Sequence, residues 1–195
     1  MKTSAIAERA VEFGKWPTGR LGSAMAWFDT ALETLTPYFA HQARLLDLQP
    51  NDVFLDVACG TGVFLERHAA HVHRVAGIDH SATQIAMARR LLRDRLEAGT
   101  AELVEGDVTA LPWPEETFTA VLCNCVDCFP DKQQQAFTEM HRVLRPGGRI
   151  VVSYNPFEPD PNTRPALMST AGFTDITVAR LPTLIMARRP EPDGH

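Results

Sequence analysis

Little in this chain points toward a membrane, a nucleic acid or an oxidising compartment. No apolar run approaches the roughly 20 residues that cross a bilayer. Residues 1–9 set Lys2, Glu8 and Arg9 among short apolar pieces, so no signal-peptide core is expected. Basic residues are few and dispersed: 19 Lys and Arg stand against 24 Asp and Glu, for a net charge of −5, and no basic block exceeds a pair such as Arg188-Arg189. That balance argues against a polyanionic backbone as main partner, so neither nucleic acid nor membrane is expected. Cysteine is scarce as well. Of the four, Cys123, Cys125 and Cys128 are crowded together and Cys59 lies far from them, a spacing that builds no disulfide framework. Reduced thiols and a cytoplasmic location are the expectation, and without a fourth ligand no metal is expected. With 12 Gly and 14 Pro, the chain is not disordered or collagen-like, and no period of 20–50 residues recurs.

What is present is an ordinary globular composition, 45% hydrophobic and 22% charged over 195 residues. A chain of that size buries about 70% of its unfolded surface as one domain. Residues 1–48 read helical, with Met25, Phe28, Leu32 and Leu35 at three- and four-residue spacing, broken by Pro17, Gly19 and Gly22 and bent or divided at Pro37. From residue 52 the pattern changes. Short β-rich runs at 53–57, 74–78, 101–105, 118–123 and 149–153 alternate with helical stretches at 61–70, 81–98 and 132–144, Ser81 serving as N-cap and Gly99 as stop. Strand and helix in alternation predict an α/β fold with a parallel sheet covered on both faces. The stretch 106–117 contains Leu111-Pro112-Trp113-Pro114 and is expected to cross as a loop. A short helix near 165–171 then precedes strands at 174–179 and 183–188, close enough that they must pair antiparallel. The expected organisation is one domain over 1–195, with a helical cover at 1–48, a core at 49–190 and a frayed tail at 191–195.

The chemistry concentrates where the first strand ends. Leu55-Asp56-Val57-Ala58-Cys59-Gly60-Thr61-Gly62 runs a buried strand into small residues and a helix, where open α/β sheets bind nucleotides. A tight turn without ligand is the plainer alternative. Nineteen positions after Gly60, Asp79 ends the second strand, where a carboxylate can accept both hydroxyls of a ribose or simply cap the next helix. Asp107 ends the third strand and can accept from an adenine amine, while Val108 offers its backbone N–H to the ring.

These residues resemble the Rossmann-like (class I) S-adenosylmethionine-dependent methyltransferases, in the branch that includes the ubiquinone-biosynthesis type. The resemblance spans about residues 48–188 and rests on Leu55 to Gly62, Gly77-Ile78-Asp79, Gly106-Asp107-Val108-Thr109-Ala110-Leu111-Pro112, and Arg142-Val143-Leu144-Arg145-Pro146-Gly147-Gly148-Arg149. It implies a seven-stranded, mostly parallel sheet of order 3-2-1-4-5-7-6 and S-adenosyl-L-methionine as cofactor. By the same resemblance Asp56, Ala58 and Gly60 surround the methionine part, Asp79 the ribose, and Asp107 with Val108 the adenine, while Asn124 gives a backbone contact. Ala58 stands where the family commonly has glycine. A nicotinamide-dependent dehydrogenase fits less well, because Leu65 occupies the place of the third dinucleotide glycine.

Methyl transfer from a sulfonium needs alignment and dryness more than a dedicated catalyst, so the catalytic residues stay unassigned. Candidates are Asp127, which either takes a proton or faces solvent, Cys125 and Tyr154; Tyr154 and Asn155, after the fifth strand, are expected to line the acceptor pocket. Asn124-Cys125-Val126 followed by Pro130-Asp131-Lys132 locally resembles arsenite methyltransferases, in which a thiolate at the Cys125 position holds trivalent arsenic; the family's later cysteine has no counterpart here. A small buried apolar thiol is the other reading. His80 either lies over the adenosine or stands exposed at the helix start, and His68, His71 and His73 are expected to face solvent away from the crevice. Arg20 can meet the methionine carboxylate, with Trp16, Trp27 and Tyr38 closing over the cofactor or packing helices onto the sheet. The expected partner is a small-molecule methyl acceptor. So short a cover leaves open a site completed by a second subunit in a homodimer, and a silent cofactor-binding interaction protein is the non-enzymatic alternative.

Overall fold

The run Val53-Phe54-Leu55-Asp56-Val57 carries apolar side chains at both odd and even positions, which suits a strand covered on both faces. In the computed structural model, which describes residues 38–124, 130–153, 163–180 and 183–192, this run is β1 (Val53–Val57) and is buried from Phe54 onward. It pairs in parallel with β2 (Arg74–Asp79) and β4 (Phe118–Cys123). Outside these, β3 (Ala101–Glu105) pairs with β2 and β5 (Leu144–Ser153) with β4, again in parallel. The antiparallel finish is β7 (Thr183–Arg188) beside β5 and β6 (Thr174–Arg180) at the edge. The order β3-β2-β1-β4-β5-β7-β6 is the one the resemblance implies, and the fold is Rossmann-like α/β.

Side chains alternate between two cores. Leu55, Val57, Val121, Cys123 and Val152 meet α5 (Gln133–Val143) and α6 (Thr163–Thr170) through Phe137, Met140 and Met168. On the other face Phe54, Leu122 and Val151 meet α1 (Tyr38–Leu46), α2 (Val63–Arg67) and α3 (Ala82–Leu91) through Phe39, Phe64 and Ile85.

Three boundaries differ from expectation, each for a local reason. The helix expected over 61–70 is only Val63–Arg67, because Phe64 O accepts from both His68 N (2.9 Å) and Ala69 N (3.3 Å) and so closes the turn. The helix expected over 81–98 breaks at Leu92, whose buried side chain reaches the Gly62 turn, and resumes as α4 (Arg93–Glu97). The break lets Arg95 donate to the carbonyls of Ala69 (2.9 Å) and Val72 (2.6 Å). Strand β5 begins at Leu144 rather than Arg149, since Leu144 pairs with Phe118 and Arg149 with Ala120, leaving Pro146-Gly147-Gly148 as a bulge. Gly147, at φ +71°, permits it, and Arg189 fastens it by paired backbone hydrogen bonds to Gly147 and Gly148. Residues 106–117 cross without helix, as expected.

At the amino end of β1 the sheet is tied to α1. Asp52, 6% exposed, accepts from Gln49 N (2.7 Å), Thr119 Oγ1 (2.6 Å) and both terminal nitrogens of Arg149. Arg149 in turn donates to the carbonyls of Leu46 and Asp47, orphaned where α1 ends. Burial alone pushes the Asp52 carboxyl up, but the Arg149, Gln49 and Thr119 donors together outweigh it and leave the group below its ordinary value. A depressed pKa stabilises the fold above the unfolded value of about 3.9, and that stability disappears as pH falls through the lower folded value. Asp52→Asn is expected to cost about 2–4 kcal/mol in urea unfolding at neutral pH, because Arg149 is left half-buried without its counter-charge. The difference from wild type should shrink as pH drops below about 4; a constant difference would contradict the assignment.

Candidate functional site

The carboxyl ends of β1, β2, β3 and β4 open on one side of the sheet, because parallel strands all deliver their next residue there. After β1 the chain turns through Ala58, Gly60 and Gly62, all at positive φ (58°, 54° and 79°). Two of these positions hold glycine, which adopts this backbone at little cost. Ala58 holds it at an expense of about 1–2 kcal/mol, so the alanine-for-glycine difference seen in the sequence has a physical price here. A Cβ on Gly60 would meet nothing nearer than Gln84 Oε1 at 3.9 Å, leaving the backbone open to close approach.

Asp79 lies across this turn. Only 6% exposed, its carboxylate accepts from Gly60 N (3.0 Å) through Oδ2 and from Ser81 N (2.9 Å) through Oδ1. One side chain thereby fixes the glycine turn to the start of α3, which Ser81 caps by accepting from Gln84 N. Each carboxylate oxygen keeps acceptor capacity for a ligand hydroxyl. His80 stands at the rim, its side chain 54% exposed and its Nδ1 3.6 Å from Asp79 Oδ1.

Asp56 is buried on the face that α1 covers, in line with Phe54 and Leu122. Cys59 is buried too, and burial first, then the charges of Asp56 and Asp79, push its thiol well above the ordinary value. It is therefore an unreactive thiol that fills the space over Gly77, where a Cβ would come within 2.8 Å of its Sγ. After β3, Asp107 accepts from Thr109 N (2.9 Å) and Oγ1 (2.8 Å) and pairs with Lys132 Nζ at 2.6 Å. Those donors, Lys132 first, hold its carboxyl down at about 2, so it is an acceptor throughout the physiological range. Val108 is buried beside it. The loop that carries both is anchored by Arg142, which donates to the carbonyls of Leu111 and Trp113 (2.9 Å each), and by Glu139, which accepts from Leu111 N.

At the end of β4, the Asn124 backbone carbonyl accepts from Ser153 Oγ (2.5 Å) and its side-chain oxygen accepts from Gln42 Nε2. Gln42 is completely buried, and its Oε1 finds no partner among the described residues. The structure thus brings together Asp56, Ala58, Gly60, Asp79, His80, Asp107, Val108 and Asn124 from four strand ends. Arg20, Cys125, Asp127, Tyr154, Asn155, Trp16 and Trp27 lie outside the described residues. His71 and His73 are exposed, but His68 is half-buried against Phe39 and Phe64, with ring centroids 6.1 and 5.3 Å away, so it packs α1 onto α2 instead of facing solvent. Gln42, Gln84, Lys132 and Ser153 had no sequence signal beyond the Ser81-x-x-Gln84 spacing of a helix start.

The array fits an adenosine-bearing cofactor. It has an open glycine backbone, a fixed carboxylate for a diol, a second carboxylate for an amine, and a buried carbonyl, Gln84 Oε1, with no partner among the described residues. Residues 54–148 match the model of a family described as "Methyltransferase domain". A demethylmenaquinone methyltransferase from Oceanobacillus iheyensis is 32% identical over 112 residues, which are 55% of this chain and 46% of that one. An arsenite methyltransferase from Halobacterium salinarum is 31% identical over 109 residues, 54% of this chain and 28% of that one. The chain therefore aligns to less than half the length of either relative. Among solved structures, a geranyl diphosphate C-methyltransferase from Streptomyces coelicolor A3(2), in complex with Mg2+, geranyl diphosphate and S-adenosyl-L-homocysteine, superposes with a TM-score of 0.62 at 19% identity, covering 77% of this chain and 79% of that one. At that identity the likeness is one of fold.

Relieving the strained turn makes a direct check of its geometry. Ala58→Gly is expected to raise the unfolding free energy by about 1 kcal/mol in chemical denaturation, against the usual cost of placing glycine in a fold. A destabilised variant would contradict the left-handed backbone at this position.

Proposed function

We propose, for a chain whose residues 54–148 belong to the methyltransferase domain family, transfer of a methyl group from S-adenosyl-L-methionine to a small-molecule acceptor. The observation that carries this reading is the Asp79 carboxylate, buried at the end of β2 and fastened to the Gly60 N–H at 3.0 Å, which unites the glycine turn and the diol acceptor in one rigid unit. When bound, the cofactor would supply an electrophilic methyl carbon on a positively charged sulfur, to be taken by an acceptor lone pair as the carbon–sulfur electron pair leaves with the sulfur. The protein's part is to align donor and acceptor in line and to keep water out.

Its residues divide this work. The turn at Ala58 and Gly60, with Asp56 behind it, receives the methionine part. Asp79 takes the ribose, and Asp107 and Val108 take the adenine. The Asn124 backbone, held by Ser153, steadies the end of β4, where the acceptor enters. A proton on the acceptor, where there is one, goes to Asp127 or Tyr154. Residues 1–48 form the cover, with Arg20 on the methionine carboxylate; α1, its described end, is tied down through Arg149 and through the Gln42–Asn124 hydrogen bond.

A second reading is favoured by the likeness to an arsenite methyltransferase: Cys125 as a thiolate ligand to a trivalent metalloid acceptor. The two acceptors separate in one assay. Protein supplied with methyl-labelled S-adenosylmethionine is offered quinol-type aromatic acceptors and arsenite in parallel. Label passing to arsenite in wild type, and lost in Cys125→Ser, supports the metalloid reading; label passing to an organic acceptor in both proteins rejects it. Binding of S-adenosylhomocysteine with no label transferred to any acceptor favours a silent cofactor-binding protein. Asp79→Ala is expected to lower S-adenosylhomocysteine affinity at least a hundredfold, about 2.7 kcal/mol, while remaining folded by circular dichroism; unchanged affinity would refute the ribose assignment.

A further inference from the structure

Gln84 occupies the third position of α3, where a glutamine after a serine N-cap ordinarily completes a reciprocal pair. The serine hydroxyl accepts from the backbone N–H of the third residue, and that residue's side chain accepts from the backbone N–H of the serine. Only half of the pair exists here. Ser81 Oγ accepts from Gln84 N, but Ser81 N is already taken by Asp79 Oδ1 at 2.9 Å. The Gln84 side chain has been displaced from its capping role, and its Oε1, in a residue 5% exposed, has no partner among the described residues. A buried carbonyl in that condition destabilises the fold, and a fold retains it where a ligand supplies the missing donor.

The position of the carbonyl oxygen points to the donor. Gln84 Oε1 lies 3.9 Å from the point where a Cβ on Gly60 would stand, so it addresses the Cα side of the same glycine whose N–H is bound by Asp79 Oδ2. Both Asp79 oxygens already accept one backbone N–H each, at 3.0 and 2.9 Å. A vicinal diol brings two further donors to this place, and a neighbouring neutral acceptor takes one of them without adding negative charge beside Asp79 and Asp56. Asp107, assigned above to the adenine, follows a different strand end.

Resting on the methyltransferase reading above, we propose that the Gln84 side-chain carbonyl is a second ribose acceptor, sharing the cofactor's two hydroxyls with Asp79 and making the site selective for an intact diol. The displacement by Asp79 is what frees it. One acid therefore binds the diol and releases the amide that completes its recognition.

The test compares wild type with Gln84→Met, which keeps length and removes the polar atoms, by calorimetric titration of S-adenosylhomocysteine and its 2′-deoxy and 3′-deoxy forms, with thermal melting of the ligand-free proteins. The expected result is a roughly tenfold weaker affinity for S-adenosylhomocysteine, about 1.4 kcal/mol, with a ligand-free melting temperature unchanged or raised. One of the two deoxy compounds should bind wild type and Gln84→Met equally. Equal affinity of both proteins for S-adenosylhomocysteine would overturn the assignment. So would a lowered ligand-free melting temperature, which would mean that the carbonyl serves the fold, or a mutational loss preserved in full for both deoxy compounds. If wild type binds no S-adenosylhomocysteine, the methyltransferase reading falls as well, an outcome distinct from the other three.

Discussion

The site hangs on one carboxylate. Asp79 reaches from the end of β2 across to the turn after β1, taking the Gly60 N–H on one oxygen and the Ser81 N–H on the other. Without it, two loops leaving adjacent strands would lose this shared anchor and rest on contacts such as Cys59 N to Ile78 O. Satisfying two buried donors with one charged acceptor is inexpensive for the fold, since charge-assisted hydrogen bonds are the stronger kind. It also fixes the carboxylate in place, so a ligand that binds there need not immobilise it afresh. The strain at Ala58 lies within this turn and the Gln84 carbonyl, which has no partner among the described residues, lies beside it in α3; a rigid anchor is what allows a fold to keep such features.

At the opposite end of the strands the molecule is built for cohesion. Asp52 and Arg149 join the start of β1, the bulged β5 and the last carbonyls of α1 in one polar knot. Arg189 donates to the carbonyls of His141, Arg142 and Leu144, closing the end of α5, and pairs with Glu116. These contacts satisfy helix termini that would otherwise be orphaned. Near the crevice, α1 is linked to the end of β4 by the hydrogen bond from Gln42 to Asn124.

Much of this was legible in the sequence, and the parts that were share a physical cause. The strands around Leu55, Val75, Val121 and Val151 are short apolar runs bounded by breakers, and the Ser81 cap is a local device, so neither needs long-range information. The glycine turn and Asp79 were readable for the same reason, being two local features at a fixed separation. The break at Leu92 was not, because it depends on Arg95 reaching carbonyls 26 and 23 residues earlier in the chain. The early start of β5 depends on pairing with Phe118, and the burial of His68 on α1 lying over α2. Gln42 escaped notice because its partner is 82 residues away, and Gln84 because its role follows from a partner that Asp79 removed.

If the crevice takes an adenosyl-sulfur cofactor and not a dinucleotide, calorimetric titration of the wild-type protein with S-adenosylhomocysteine shows one-to-one binding in the micromolar range, and a separate titration with NADH gives no heat. Saturable binding of NADH with none of S-adenosylhomocysteine would instead make it a dinucleotide site.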